Sequence, residues 1–338
     1  MKTVRFQRLA LAVAVSLSAG TVAAVTSSQT VQAAPTGVAF GAYVAPRSGE
    51  TQQQAVEHLE AKLGTKLPMV REYISWDKKF GNRFHQWVVS GGRQMMISFR
   101  PRRSNGVAVK WKDIANAASG SQIYNEILAL ADSAKTFGVP LLVAFHHEPE
   151  AASSAEFGTS AEFVAAWRKI VTVFRSRGVT NVKWVWTMTS YAFAVAAPDA
   201  RQAALWYPGD TFVDYIGADP YNWNQCRGKP QEVWEPLATT IEPMMRFSDL
   251  HPSKKLVLAE FGSDDGAAGA KAKWIDDVRA LLKTSRYAPK FAAIFYFHNE
   301  HAGQPACAWW ADSSADAAAA VGRLATDSFY RNVAAALA

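Results

Sequence analysis

Cysteine is nearly absent from this chain: Cys226 and Cys307 are the only two among 338 residues. Two isolated cysteines argue against a structural zinc site, which draws on four clustered ligands. No Gly-rich phosphate loop follows any early strand pattern, which lowers a nucleotide-binding open sheet. No His-Glu-x-x-His stretch occurs, so zinc hydrolysis of that type is not expected, and no other metal or cofactor is called for. Basic tracts are short, Arg100-Pro101-Arg102-Arg103 being typical, so nucleic acid is not an expected partner. Beyond the first 33 residues no run is apolar enough to span a membrane, and no Pro-, Gly- or Ser-rich linker or short repeat breaks the chain.

The amino-terminal segment has a different character. Lys2, Arg5 and Arg8 precede an apolar run over residues 9–25, and Val31-Gln32-Ala33 supplies small residues where a signal peptidase cuts. This order predicts a cleaved secretory leader over residues 1–33 and an extracellular protein. A membrane anchor is disfavoured, because the run is weakly apolar and no charged stop-transfer signal follows. Cleavage removes three positive charges, so the formal charge falls from +7 to +4 and the mature surface is mildly basic. In an oxidising compartment Cys226 and Cys307 can bond and staple two loops, although spacing alone does not pair them.

Residues 34–338 read as one catalytic domain. Apolar runs at 38–44, 68–74, 94–100, 140–147, 182–187, 213–219, 255–260 and 292–298 are nearly continuous, as expected of strands buried on both faces. Helical patterns separate them. Thr159 and Glu162 have capping-box spacing, and Phe163, Trp167, Ile170 and Phe174 follow as one apolar stripe. Further helices are expected over residues 51–63 and 122–137, the second ending at Gly138. Eight strand–helix repeats predict a (β/α)8 TIM barrel, whose function sits at the carboxyl ends of its strands.

Those ends carry chemistry. Strand four runs into His146-His147-Glu148, strand six into Asp219-Pro220-Tyr221, strand seven into Ala259-Glu260-Phe261-Gly262, and strand eight into Phe297-His298. Glu148 and Glu260 therefore face each other across one barrel mouth. Retaining glycoside hydrolysis needs such a pair, about 5–5.5 Å apart, one carboxyl protonated and the other ionised. Glu150 is a rival acid if strand four continues past Glu148. Arg100, at the end of strand three, pairs with an acid such as Asp77 or binds a sugar hydroxyl. Trp186 lies near the end of strand five, Trp76 and Trp223 lie on top loops, and each can pack locally or stack on a sugar. His298 is another strand-end candidate for substrate contact.

These motifs, in order and at barrel spacing, resemble glycoside hydrolase family 26, over most of the chain from Phe40-Gly41-Ala42-Tyr43 to about Phe329. His147-Glu148 matches the His-Glu at the end of strand four, Glu260 the strand-seven nucleophile, and Asp219-Pro220-Tyr221 the Asp-x-Tyr after strand six. The Trp167-Arg168 helix and the Trp184/Trp186 strand also look like that family. The resemblance implies Glu148 as acid/base, Glu260 as nucleophile, His147 orienting sugar or Glu148, Tyr221 holding Glu260, and Asp219 supporting Tyr221 or touching sugar. It implies a polysaccharide or oligosaccharide as partner, β-1,4-mannan by default; separately, the chain is expected to act as a monomer. Two departures bear on specificity. Pro149-Glu150-Ala151-Ala152 replaces the Asn-Gly and Trp-rich loop of many members, and Tyr296-Phe297-His298 stands where many such barrels place a Trp.

Overall fold

The computed structural model describes residues 37–301 and 304–337, so the predicted leader lies outside the described residues. Eight parallel strands close on themselves: β1 (Ala39–Val44), β2 (Met69–Ser75), β3 (Gln94–Arg100), β4 (Leu141–Phe145), β5 (Val182–Thr189), β6 (Tyr215–Asp219), β7 (Lys255–Ser263) and β8 (Phe291–His298). Each pairs with the next, and β8 returns to β1 over six residues, from Ala39 opposite Ala293 to Val44 opposite His298. The eight predicted strands are these eight. No helix among the described residues is long and apolar enough to cross a membrane.

Helices close the outside, and their ends follow their caps. Thr51 and Gln54 form a capping box on Gln52–Leu63, and Gly64 stops that helix in a left-handed turn. Thr159 and Glu162 do the same for Ser160–Ser176. Period-two alternation divides the strand residues between two cores. Val70, Ile97, Phe99, Val143, Phe145, Trp184, Trp186 and Ile216 pack outward against the helices. Ala39, Met69, Met96, Leu142, Ala144, Val185, Tyr215, Val257, Ala259 and Phe295 fill the barrel interior. The interior residues next along β2 and β3 toward the mouth are Arg71, Tyr73 and Ser98, so the apolar filling gives way to polar groups at the carboxyl end.

Two irregularities sit at that end. Strand β4 stops at Phe145, two residues short of the predicted end, because His146 takes φ 45° and Glu148 φ 51°. These left-handed values carry non-glycine residues out of the ladder. In β7 the register against β8 shifts between Leu258 and Phe261. Ala259 packs inward and Phe261 outward, so Glu260 falls at the irregularity itself.

Cys226 and Cys307 form a disulfide that ties the loop after β6 to a hairpin after β8. The bond closes a span of 81 residues. Replacing both cysteines by serine is expected to cost about 2–4 kcal/mol of stability. A denaturation midpoint unchanged by the double substitution would refute that.

Candidate active site

Glu260 is 6% exposed, and four side chains around it favour its charged form. The Tyr221 hydroxyl donates to Oε2 at 2.5 Å, and the Tyr73 hydroxyl donates to Oε1. Arg71, fully buried, places Nη2 3.3 Å from Oε1. His147 Nε2 lies 3.8 Å from the same oxygen. Burial pushes the Glu260 carboxyl up, but the Arg71 charge, His147 and the two tyrosine hydroxyls outweigh it and hold it below the ordinary carboxylate range. Tyr221 reaches this place because a short extension, Tyr221–Asn222, pairs beside Gly262 and Ser263. A Cβ on Gly262 would meet the Tyr221 ring at 3.2 Å, a tight contact, so the close approach favours glycine there.

Glu148 and Asp219 complete a cluster in which one carboxylate oxygen from each of the three acids lies within 4.8 Å of the others. Burial, then the charge of Glu260, raises Glu148 well above its ordinary range. The same two causes, in the same order, raise Asp219. The site therefore holds one carboxylate, paired with Arg71, and two neutral acids. A divalent cation would need more of these acids ionised beside a guanidinium that already neutralises Glu260, so the donor set suits proton transfer better than metal binding.

His147 is pressed down to about 4 by burial, so its ring is neutral at neutral pH. Tyr43 and Phe297 stack at 5.2 Å, and Phe297 meets the Tyr221 ring edge-on at 6.0 Å. Trp309 backs Tyr221 at 5.0 Å, with Trp223 at 5.4 Å on the same tyrosine. Trp223 is half-buried, with the Arg227 guanidinium over its ring at 3.7 Å. Glu148, Glu260, His147, Asp219 and Tyr221 thus converge as the motifs implied.

The other candidates sit in different surroundings. Trp186 is fully buried on the outer face of β5, where it packs against Phe193, Tyr207 and Phe247. Trp76 is 1% exposed, packs on Phe99 and Phe145, and donates its indole N–H to Glu126 at 2.7 Å. His298 is buried: it accepts the Ala311 N–H at 3.0 Å and packs on Trp310. Arg100 is exposed beside His146 and His147, whose protonation its charge opposes, while Asp77 is taken by Ser104. Glu150 is no rival acid, because the strand does not continue. Its carboxylate accepts the Thr189 N–H at 2.8 Å and hydroxyl at 2.6 Å, lacing the β4 loop to the end of β5.

Burial lifts Glu150 to about 7. A carboxyl raised on folding stabilises below its unfolded value and loses that contribution as pH rises through its folded value. Glu150→Gln keeps the acceptor for Thr189 and removes the charge. Relative to the parent, the variant is expected to gain on the order of 3 kcal/mol between pH 5 and pH 8. Denaturant unfolding at the two pH values reads the difference, and an equal offset at both would count against it.

Arg71, Tyr73 and Phe297 were missed as site residues. A signal was present for two of them: Arg71 and Tyr73 lie two apart, on one face of a predicted strand, and Arg71 puts a charge inside a strand buried on both faces.

Residues 83–242 match the family model for glycosyl hydrolase family 26. Over that stretch the chain resembles the family. It is 28% identical to Endoglucanase H of Acetivibrio thermocellus over 298 residues, which cover 84% of this chain and 30% of that protein. It therefore spans under a third of the length of that relative. Solved family 26 structures share the fold. A β-mannanase from Bacteroides ovatus superposes with TM-score 0.58 at 14% identity, covering 87% of this chain and 90% of that one. A modular endo-β-1,4-mannanase from Cellulomonas fimi gives 0.56 at 17%, covering 89% and 74%.

Proposed function

We propose that this protein is a family 26 enzyme, a secreted retaining hydrolase of a β-linked polysaccharide, with Glu260 as nucleophile and Glu148 as general acid and base. The observation that carries the reading is the carboxyl cluster spanning 4.8 Å, in which Glu260 is held ionised and Glu148 protonated. Carboxylate oxygens within 4.8 Å of one another fit a retaining pair better than an inverting one, whose carboxyls stand wider apart to hold a water. In the first step Glu260 attacks the anomeric carbon, the glycosidic C–O bond breaks, and the Glu148 proton passes to the leaving oxygen. In the second, Glu148 takes a proton from water, the resulting hydroxide oxygen bonds the anomeric carbon, and the Glu260 carboxylate leaves. Tyr221, Tyr73 and Arg71 place the nucleophile, and neutral Asp219 keeps a third negative charge out of the site.

Activity should be bell-shaped in pH. It rises as Glu260 ionises, below the ordinary carboxylate range, and falls only when Glu148 loses its proton, well above that range. Initial rates across the pH range check this, and an alkaline limb at an ordinary glutamate value would contradict the acid role.

For the polymer we favour a β-glucan. The sequence relative at 28% identity is named an endoglucanase, whereas the mannanase structures are alike mainly in fold. The Pro149-Glu150 loop and Phe297 in place of a tryptophan also depart from the usual mannan pattern. β-1,4-Mannan is the second reading, supported by the strand-end motifs. The leader pattern supports secretion. The test is product release by the purified mature chain from mixed-linkage β-glucan, β-mannan, xylan and bacterial exopolysaccharide, with Glu260→Ala as control. Release from glucan that the variant loses supports the first reading, release from mannan alone the second, and release from neither overturns both.

A further inference from the structure

Glu148 hangs on an unusual piece of backbone. His146 and Glu148 both lie in the left-handed region, at φ 45° and 51°, with Pro149 following. Such conformations persist in non-glycine residues only where the surroundings over-determine them. Here a line of side chains and two backbone hydrogen bonds do so. The Trp111 indole N–H donates to His146 Nδ1 at 3.1 Å. Indole nitrogen only donates, so His146 carries its proton on Nε2. That proton faces Ser154 Oγ at 3.2 Å, and the Ser154 hydroxyl donates to the Glu148 carbonyl at 3.1 Å. Backbone bonds fix the same stretch on both sides: the His146 N–H to the Phe99 carbonyl at 2.8 Å, and the Glu148 N–H to the Thr187 carbonyl at 3.0 Å.

The ring of His146 is 6% exposed, with Trp111 at 5.2 Å and Phe157 at 4.6 Å. Burial, with His147, Arg100 and Arg102 nearby, drives its pKa well below the ordinary range. It therefore stays neutral and keeps one tautomer while the enzyme works. Its line of hydrogen bonds ends on the Glu148 main chain, away from the carboxyl cluster.

We propose that His146, acting through Ser154, is a positioning residue that locks the left-handed turn aiming the Glu148 carboxyl at the leaving oxygen. The inference rests on Glu148 being the acid and base. A loosened Glu148 donates its proton poorly but leaves Glu260 untouched. The defect must then depend on how much the leaving group needs a proton.

The experiment compares Ser154→Ala, His146→Gln and His146→Ala with Glu148→Ala, on the preferred polysaccharide and on dinitrophenyl β-cellobioside (or the mannobioside, if mannan is cleaved). A dinitrophenolate leaves without protonation. Ser154→Ala is expected to lose about tenfold in kcat on the polysaccharide while kcat/KM on the aryl glycoside stays within about twofold, with added azide raising turnover of the aryl glycoside. His146→Gln, which can still donate toward Ser154, should retain more activity than His146→Ala. Equal losses on both substrates, or none on either, would overturn the proposal, and Ser154→Ala decides it even if the histidine variants do not fold. If Glu148→Ala itself shows no dependence on leaving group, the assignment of Glu148 fails instead.

Discussion

Glu260→Ala is expected to lower turnover by on the order of 10⁴-fold or more, as removal of a covalent nucleophile does elsewhere, and yet to leave a folded protein. The first half follows from geometry. Neither of the other two acids in the cluster is held ionised, because burial and the charge of Glu260 raise both Glu148 and Asp219. The second half is less obvious, since the substitution strips Arg71 of its closest acid, and an unpaired buried charge is costly. Asp219 supplies the answer. Its Oδ1 lies 3.9 Å from Arg71 Nη1, and part of what keeps it protonated is the negative charge on Glu260. With that charge gone, Asp219 can ionise and take over as counter-ion. Kinetics paired with thermal unfolding of parent and variant test both halves. Near-parental turnover would remove Glu260 from the mechanism, and an unfolded variant would show that Asp219 does not substitute for it.

The same charge logic explains which parts of this enzyme were legible in sequence. The barrel was, because strands buried on both faces leave continuous apolar runs, and capping boxes such as Thr159 with Glu162 mark where helices begin. The strand-end motifs brought Glu148, Glu260, Asp219 and Tyr221 to one mouth. The sequence was silent where backbone departed from regular structure. By strand parity Glu260 belongs on the helix-facing side, and only the register shift in β7 delivers it to the site. By the same parity Glu150 seemed to share a face with Glu148, but the left-handed turn at His146 and Glu148 ends the strand. The aromatic candidates failed for a related reason. Trp186 and Trp76 differ from site residues only in the face or depth they occupy, whereas residue type alone says only that an indole can stack. The one overlooked signal was chemical: Arg71 inside an apolar strand demands a partner, and a buried acid had to lie opposite it.

That demand is the basis of the second large effect. Arg71 is fully buried, donates Nη1 to the Ala259 carbonyl and Nη2 to Ser98 at 3.2 Å, and lies over the Tyr73 ring at 4.7 Å. Its charge is the largest offset to the burial of Glu260. Arg71→Met fills similar volume and removes the charge. Near neutral pH the variant should be about 3–5 kcal/mol less stable, the usual cost of leaving one member of a buried ion pair alone. In the parent, Glu260 has a depressed pKa, so it adds stability above its unfolded value and loses it as pH falls through the folded one. In the variant, burial acts on Glu260 without Arg71, its pKa rises, and the sign reverses. The gap between the two proteins should therefore narrow as the solution is acidified. The acid limb of the activity profile should move to higher pH at the same time, because the nucleophile must now be ionised against its burial. Denaturant unfolding and pH–rate profiles of the two proteins read the two effects separately. A stability gap that ignores pH, with an acid limb that does not move, would mean that Arg71 serves packing alone and that the tyrosine hydroxyls suffice to keep Glu260 charged.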